Sequence, residues 1–293
     1  MAGAEQAGQA DTVEQSEYTT LAALVAYDGT RFVGFQRQVA ERGSTVQGAL
    51  EAAINRIARK AQAGEMISLA AAGRTDSGVH AAGQVISFQT RAWLDADAWL
   101  RALNALTPPD IGIRAVRQVA PGFHARKSAL ARRYRYRIIC TPNKEPLRER
   151  YAWRVAQRLD VDAMNRAAGE LLGEHDFAAF GSSPWDRPAE GYRAHTVRRL
   201  TLSRCAWAMS LAPFGGVITP PDEIVCEFTA NAFLTGMVRR IVGTLALVGQ
   251  SRLSIDDVRG ILAAREKAHP GAAAPPQGLC LTQVDYPTEW GLW

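Results

Sequence analysis

The sequence predicts an α+β fold with mixed, mainly antiparallel sheets. Short β-branched or alternating runs are bounded by Gly, Pro and Asp. Longer stretches between them carry apolar residues at helical spacing. Several strand runs follow one another across turn residues with no helix between, which disfavours a doubly wound parallel sheet.

The elements follow in order. Residues 21–27 are an apolar run ending in Asp28-Gly29, a strand entering a turn. Ser44-Thr45-Val46-Gln47 is a capping-box pattern, and Val46, Leu50, Ile54, Ile57 and Ala61 follow it, so a helix is expected over 45–61. Strands are expected at 67–72 and 84–88. A helix at 94–106 is stopped by Thr107-Pro108-Pro109-Asp110, and a strand follows at 111–119. A similar order then recurs. Residues 133–140 read as a strand, and Asp160 caps a helix through Leu172 that Gly173 stops. Strands at 196–212 and 223–230 flank a Pro- and Gly-rich loop. Helices are expected at 232–248 and, behind a Ser254 cap, at 255–264. A Pro/Ala/Gly loop at 270–278 leads to a closing strand at 279–286. The chain thus divides into an acidic, disordered tail (1–20), an N-terminal half (21–122) and a C-terminal half (123–293).

Composition narrows the function classes. With 47% apolar and 22% charged residues among 293, the chain can bury a sizeable core and is not disordered throughout. Cys140, Cys205, Cys226 and Cys280 form no CxxC pair, so a zinc ribbon, a redox dithiol and a dense disulfide framework are disfavoured and free thiols are expected. The first eighteen residues contain Glu5, Asp11, Glu14 and Glu17 but no Lys or Arg, unlike a signal peptide. The most apolar run, 232–248, holds Arg239 and Arg240 at its centre, which marks a buried helix rather than a membrane span. A cytoplasmic location is expected. Beyond the tail, 34 basic residues face 25 acidic ones, a net +9 that favours polyanionic partners.

Three segments are equipped for chemistry. The first is GRTDSGVH at 73–80, where Gly73 and Gly78 bracket Arg74, Thr75, Asp76 and Ser77. Two readings stand: a turn in which Asp76 bonds backbone amides, or a loop that a ligand approaches closely. Asp76 and His80 share the i, i+4 spacing of helical metal ligands. Gly78 breaks a helix there and no second ligand cluster appears, so no metal is assigned. The second is RKSALARRYRYR at 126–137, with six basic residues in twelve. On a strand, Tyr134, Tyr136 and Ile138 share one face and Arg133, Arg135 and Arg137 the other. That suits an RNA groove, in which cations meet phosphates and a ring stacks on a base; it also describes a half-buried strand with solvated arginines. The third is the helix expected at 231–249. Either one of its two arginines meets a carboxylate or phosphate, or both snorkel to the surface. His124 and His175 are isolated and read as structural.

Together these segments resemble the tRNA pseudouridine synthase A family. The matching motifs are YDGTRFVGFQRQ (27–38), TVQ (45–47), GRTDSGVHA (73–81), ALN (102–104), FHAR (123–126), ARRYRYR (131–137), GEHDFAAF (173–180), NAFLTGMVRRIVGTL (231–245) and GLCL (278–281). They span nearly everything beyond the tail. The family more often has Ala where this chain has Ser77, and the segments 182–191 and 212–221 match no family motif.

The resemblance implies two α+β halves joined across a basic central cleft with helices on the outer faces, and a homodimer. It implies isomerisation of uridine to pseudouridine at positions 38, 39 and 40 of the tRNA anticodon stem-loop, without cofactor or metal. The family's catalytic aspartate falls on Asp76, its active-site tyrosine on Tyr134, and the arginine paired with the aspartate on Arg239. RNA contacts are expected from Arg74, Arg126, Arg132 and Arg133, and from Gln36 and Arg37 of the first motif.

The chemistry is consistent with these residue types. The N1–C1′ bond must break, the base turn and C5 rejoin the sugar. An ionised carboxylate serves by attacking sugar or ring, or by taking a sugar proton, and a guanidinium offsets the cost of enclosing it. A ring beside it walls in the turning uracil. A stem uridine must first be flipped out, at an unstacking cost that phosphate contacts offset. Two alternatives remain: a non-catalytic RNA-binding module using the same basic groove, and a metal-dependent enzyme using Asp76 and His80.

Overall fold

The structure, a computed structural model, describes residues 18–38, 42–60, 65–91, 94–182, 195–208, 222–264 and 270–293. The expected disorder of the tail through residue 17, and most of the two unmatched loops, lie outside the described residues.

The chain begins with β1 (Thr19–Tyr27), α1 (Val46–Ala58), β2 (Ala70–Ala71), β3 (His80–Thr90), α2 (Ala96–Leu106) and β4 (Ile111–Val119). It continues with β5 (Ala131–Cys140), β6 (Trp153–Val155), α3 (Val161–Gly169), β7 (Gly173–Asp176), β8 (Val197–Ala208), β9 (Glu223–Ala230), α4 (Met237–Gly249), α5 (Ile255–Ala264) and β10 (Leu279–Asp285). The strands form one ten-stranded open sheet, ordered β4-β1-β3-β10-β5-β9-β8-β7, with β2 also on β3 and β6 also on β5. Pairing is antiparallel except at β10–β3 and β5–β6. The mainly antiparallel α+β architecture read from the sequence is therefore present. Among the described residues no helix is long and apolar enough to cross a membrane, and the four cysteines are free.

The helices form where caps and apolar stripes coincide. The Thr45 hydroxyl, not that of Ser44, accepts the Gly48 N–H at 3.2 Å and starts α1. Gln47 does not close the capping box; its Oε1 accepts the Arg37 N–H at 3.0 Å instead. Leu50 and Ile54 of α1 and Trp99 and Leu103 of α2 are fully buried, worth roughly 1.5–3 kcal/mol apiece. Asn104 staples α2 to β4, its amide donating to the Ile113 carbonyl at 2.9 Å and its Oδ1 accepting the Ile113 N–H at 2.9 Å. Its place in the ALN motif is thus explained by packing.

Several expected elements are shorter: the helix expected through Leu172 ends at Gly169, and two others change more. The strand at 67–72 reduces to Ala70–Ala71, because Asn55 of α1 takes both the N–H and the carbonyl of Ile67. The helix expected from residue 231 begins at Met237. Asn231 Oδ1 accepts the N–H groups of Arg199 and Ala232, which turns the chain, and Gly236 sits at φ +71°, a left-handed conformation that stops the helix from extending backward. The intervening residues 232–236 line a cavity.

Candidate active site

The loop 72–79 lies between β2 and β3 and is pinned along its length. Ala72 N–H donates to the Val85 carbonyl at 2.8 Å. The fully buried Gln84 of β3 grips the Gly73 peptide from both sides, accepting its N–H at 3.3 Å and donating to its carbonyl at 2.8 Å. The hydroxyls of Tyr27 and Thr75 share a 2.8 Å hydrogen bond. Phe35 N–H donates to the Thr75 carbonyl at 3.0 Å, and Gly78 N–H to the Phe32 carbonyl at 3.3 Å. Of the two glycines bracketing the loop, only Gly78 needs its type, at φ +76°. The YDGTRFVGFQ segment therefore acts as a cradle for the loop. The backbone of Asp76 is held by contacts that do not involve its own side chain.

The Asp76 carboxylate meets α4. Arg239 Nη1 donates to Asp76 Oδ2 at 3.1 Å, and Arg239 Nε donates to the Ala274 carbonyl at 2.7 Å. Both side chains are mostly buried, with 29% of Asp76 and 20% of Arg239 exposed. Asp76 Oδ1 has no hydrogen-bond partner among the described residues. Arg240 points elsewhere, toward the Phe180 carbonyl at 3.4 Å.

Asp76, Arg239 and Tyr134 line one cavity of about 160 Å³, room for about five waters. Tyr134 stands on β5 with its ring edge-to-face on Phe233, centroids 5.1 Å apart. Burial raises its hydroxyl well above the usual phenol range, and Tyr27 and Asp76 add to the shift. The hydroxyl is protonated at neutral pH.

The arginines differ in what occupies them. Arg132 is buried, and its five N–H donors all reach main-chain carbonyls. They bond Ala72 twice (3.1 and 2.9 Å), Ala129 at 3.2 Å, Asn231 at 2.7 Å and Arg126 at 2.7 Å. One guanidinium thereby ties the root of the Asp76 loop to the turn at 126–129 and to the start of the 231–236 segment. Arg133 is exposed on the opposite face of β5 and pairs with Asp285 at 2.9 Å. Arg135 and Arg137 pair with Glu227 and Glu223 of β9. Arg37 is exposed and pairs with the buried Glu51 at 3.2 Å, and Gln36 beside it is also exposed. Arg74, Arg126 and Arg198 line the cavity, and no carboxylate pairs with them among the described residues. Arg198 and the gripping Gln84 were not singled out in the sequence.

His80 is not brought to Asp76. Its Nδ1 accepts the Gly29 N–H at 3.0 Å and lies 3.2 Å from Asp28 Oδ1, and its ring packs on Tyr151. No cluster of three or more metal-ligating side chains occurs among the described residues. His124 Nδ1 accepts the Arg126 N–H at 3.2 Å, a structural role. His175 bonds the Leu172 carbonyl at 2.8 Å.

Fold and cavity define a class: an α+β protein with a carboxylate–guanidinium pair at an aromatic wall, in a cavity bordered by arginines that no carboxylate pairs with among the described residues. Residues 23–126 and 167–287 match a family model described as tRNA pseudouridine synthase. A tRNA pseudouridine synthase A of Neisseria gonorrhoeae is 39% identical over 282 residues, covering 96% of each chain. Those of Moorella thermoacetica and Brevibacillus brevis are 41% and 42% identical over 266 residues, covering 91% of this chain and 99% of each relative. The chain belongs to the tRNA pseudouridine synthase family.

Proposed function

We propose that this chain isomerises uridine to pseudouridine in tRNA at positions 38, 39 and 40 of the anticodon stem-loop, with Asp76 as the nucleophile. The observation that carries the reading is the 3.1 Å pair between Arg239 Nη1 and Asp76 Oδ2, beside Tyr134 in one cavity. Arg239 pairs with the carboxylate through Oδ2, which leaves Oδ1 for the nucleotide. The N1–C1′ bond breaks and the uracil turns against the Tyr134 ring. C5 then bonds C1′ and the bond between Asp76 Oδ1 and the nucleotide breaks, which returns the free carboxylate; C5 loses a proton and N1 ends with one. Because the Tyr134 hydroxyl is protonated, the ring serves as a wall and the hydroxyl as a donor.

Arg74 and Arg126 at the cavity, with the exposed Gln36 and Arg37, contact the RNA. Arg132, whose donors are all taken by carbonyls, acts as a positioning residue, and Arg133 sits too far round β5 to share the cavity. The two-half organisation, split near residue 122 with a basic cleft between the halves and helices outside, is supported by the sheet order. There β4-β1-β3 lie on one side of β10 and β5-β9-β8-β7 on the other. The reading includes a cytoplasmic homodimer, for which the exposed apolar Met66, Leu130 and Leu147 offer surface; sedimentation gives its mass.

The test is incubation with unmodified tRNA in EDTA, followed by pseudouridine mapping with carbodiimide and primer extension. Stops at 38, 39 and 40 support the reading and remove a metal-dependent route. Binding of tRNA without product leaves the non-catalytic RNA-binding module instead.

A further inference from the structure

We propose that Arg74, Arg126 and Arg198 form a single anion seat at the mouth of the cavity, and that its ligand is a backbone phosphodiester adjoining the target uridine. The proposal rests on the reading of the cavity as a uridine site. The three arginines come from three separate segments: the Asp76 loop, the turn after β4, and the start of β8. All three line the cavity that holds Asp76 and Tyr134.

Several arginines elsewhere in the fold pair with carboxylates, as Arg133, Arg135, Arg137 and Arg148 do, while Arg132 and Arg240 bond carbonyls. At the cavity none of the three has an acidic partner among the described residues. Partial desolvation, and then the charge of Arg126, lower the basicity of both Arg74 and Arg198. Like charges held together in this way destabilise the empty site and are relieved when an anion enters.

The seat is also pre-organised. Arg198 Nη1 donates to the His195 carbonyl at 2.9 Å and the Val197 carbonyl at 2.7 Å, which fixes the guanidinium plane. Its Nε is buried with no hydrogen-bond partner among the described residues, a donor left for a ligand. The main chain of Arg126 is fixed at both ends, its N–H on His124 and its carbonyl on Arg132. The anion is not carried by the base, because the cavity already contains the Asp76 carboxylate. A nucleotide whose base reaches Asp76 must leave its phosphates nearer solvent, where Arg74 and Arg126 are exposed and Arg198 is half-buried. A planar fork recognises a phosphate with two N–H bonds.

The experiment uses stem-loop RNAs in which a neutral methylphosphonate replaces one phosphate at a time near the target uridine. In the wild type, one adjoining phosphate should stand out, weakening binding about ten- to hundredfold when neutralised, as loss of charge-assisted hydrogen bonds implies. Arg198→Gln should weaken the unmodified RNA similarly, lower the salt slope by about 0.7, and show no further loss with that same methylphosphonate. Equal, small penalties at every phosphate in the wild type overturn the proposal, and that arm needs no variant to fold. So do penalties that simply add in Arg198→Gln. Binding of inorganic phosphate without any methylphosphonate effect overturns the diester assignment. Failure of the underlying reading shows separately, as absence of pseudouridine from the unmodified stem-loop with wild-type protein.

Discussion

Arg239 Nη1 lies 3.1 Å from Asp76 Oδ2, joining residues 163 positions apart in the chain. The guanidinium is aimed before the carboxylate meets it, because its Nε is anchored on the Ala274 carbonyl, and Ala274 N–H returns to the Arg239 carbonyl at 2.9 Å. A strap at 270–274 thus sets the direction of one arginine. Its neighbour Arg240, about 100° round the helix, is held by the Phe180 carbonyl instead.

Arg239→Met should therefore lower kcat about ten- to hundredfold, the ~1.5–3 kcal/mol of a charge-assisted hydrogen bond. Arg240→Met should leave kcat within a few-fold. Single-turnover rates on unmodified tRNA check this, and the opposite pattern would exchange the roles of the two residues.

Asp76→Asn keeps the volume and the loop's backbone contacts, none of which uses the Asp76 side chain. Turnover should vanish while tRNA affinity stays within a few-fold of wild type. A folded Asp76→Asn that retains more than a few per cent of the rate removes Asp76 as nucleophile.

At Tyr134 the ring and hydroxyl separate by substitution. Tyr134→Ala should lose the stacking wall, ~1–3 kcal/mol in binding of a flipped base, while Tyr134→Phe retains it. If the hydroxyl donates late in the reaction, Phe binds normally yet stalls before product. Unchanged activity in Tyr134→Ala takes the residue out of the site.

Arg132→Met removes five hydrogen bonds and leaves carbonyls of Ala72, Ala129, Asn231 and Arg126 without that donor. The expected result is a loss of about 3 kcal/mol or more in urea unfolding, in the range for breaking a buried polar network. The salt slope of tRNA binding by the folded fraction should stay unchanged, as it would not if Arg132 held a phosphate.

Burial holds the His80 imidazole below its ordinary value, against the opposing pull of the Asp28 carboxylate. The unfolded chain, with histidine near ~6.5, then takes a proton that the folded chain refuses. Stability is full above that pH and falls as pH drops through it. His80→Asn keeps an acceptor for the Gly29 N–H but cannot titrate. Its urea midpoint should fall less between pH 7.5 and 5.5 than that of wild type; an equal fall excludes His80 as a source of the acid response.

Much of this was legible because local patterns decide it. The strand at 111–119 and the elements at 223–230 and 255–264 form with the expected bounds, since their alternation, caps and turn residues agree. Residues 231–236 misled because their apolar character serves a cavity wall, a use with no period of its own. Arg132 could not be told from Arg133 within a basic run, because its burial depends on carbonyls from two distant segments, at Ala72 and Asn231, besides the adjoining turn. Gln84 looked like one more polar residue of a half-buried strand. Arg198 stood in a pair of arginines whose partners only the tertiary structure reveals.

β10 lies between β3 and β5, pairing Cys280 with His80 and Leu279 with Tyr136. Cys280 and His80 are 200 positions apart in the chain. During synthesis the nascent chain has made the Asp76 loop and the Tyr134 strand long before the strand that joins them emerges. Until then β3 and β5 each present, beyond the short stretches that β2 and β6 cover, an open edge of the kind that invites pairing with foreign strands, and closure over such a separation is slow. Ribosome-stalled chains ending before residue 279 should be cut readily by protease, and chains released beyond residue 285 should resist. If the shorter chains resist equally, the edges are covered by other means. Otherwise a truncated translation product carries every residue of the Asp76–Arg239–Tyr134 trio and still has no template to hold them in register.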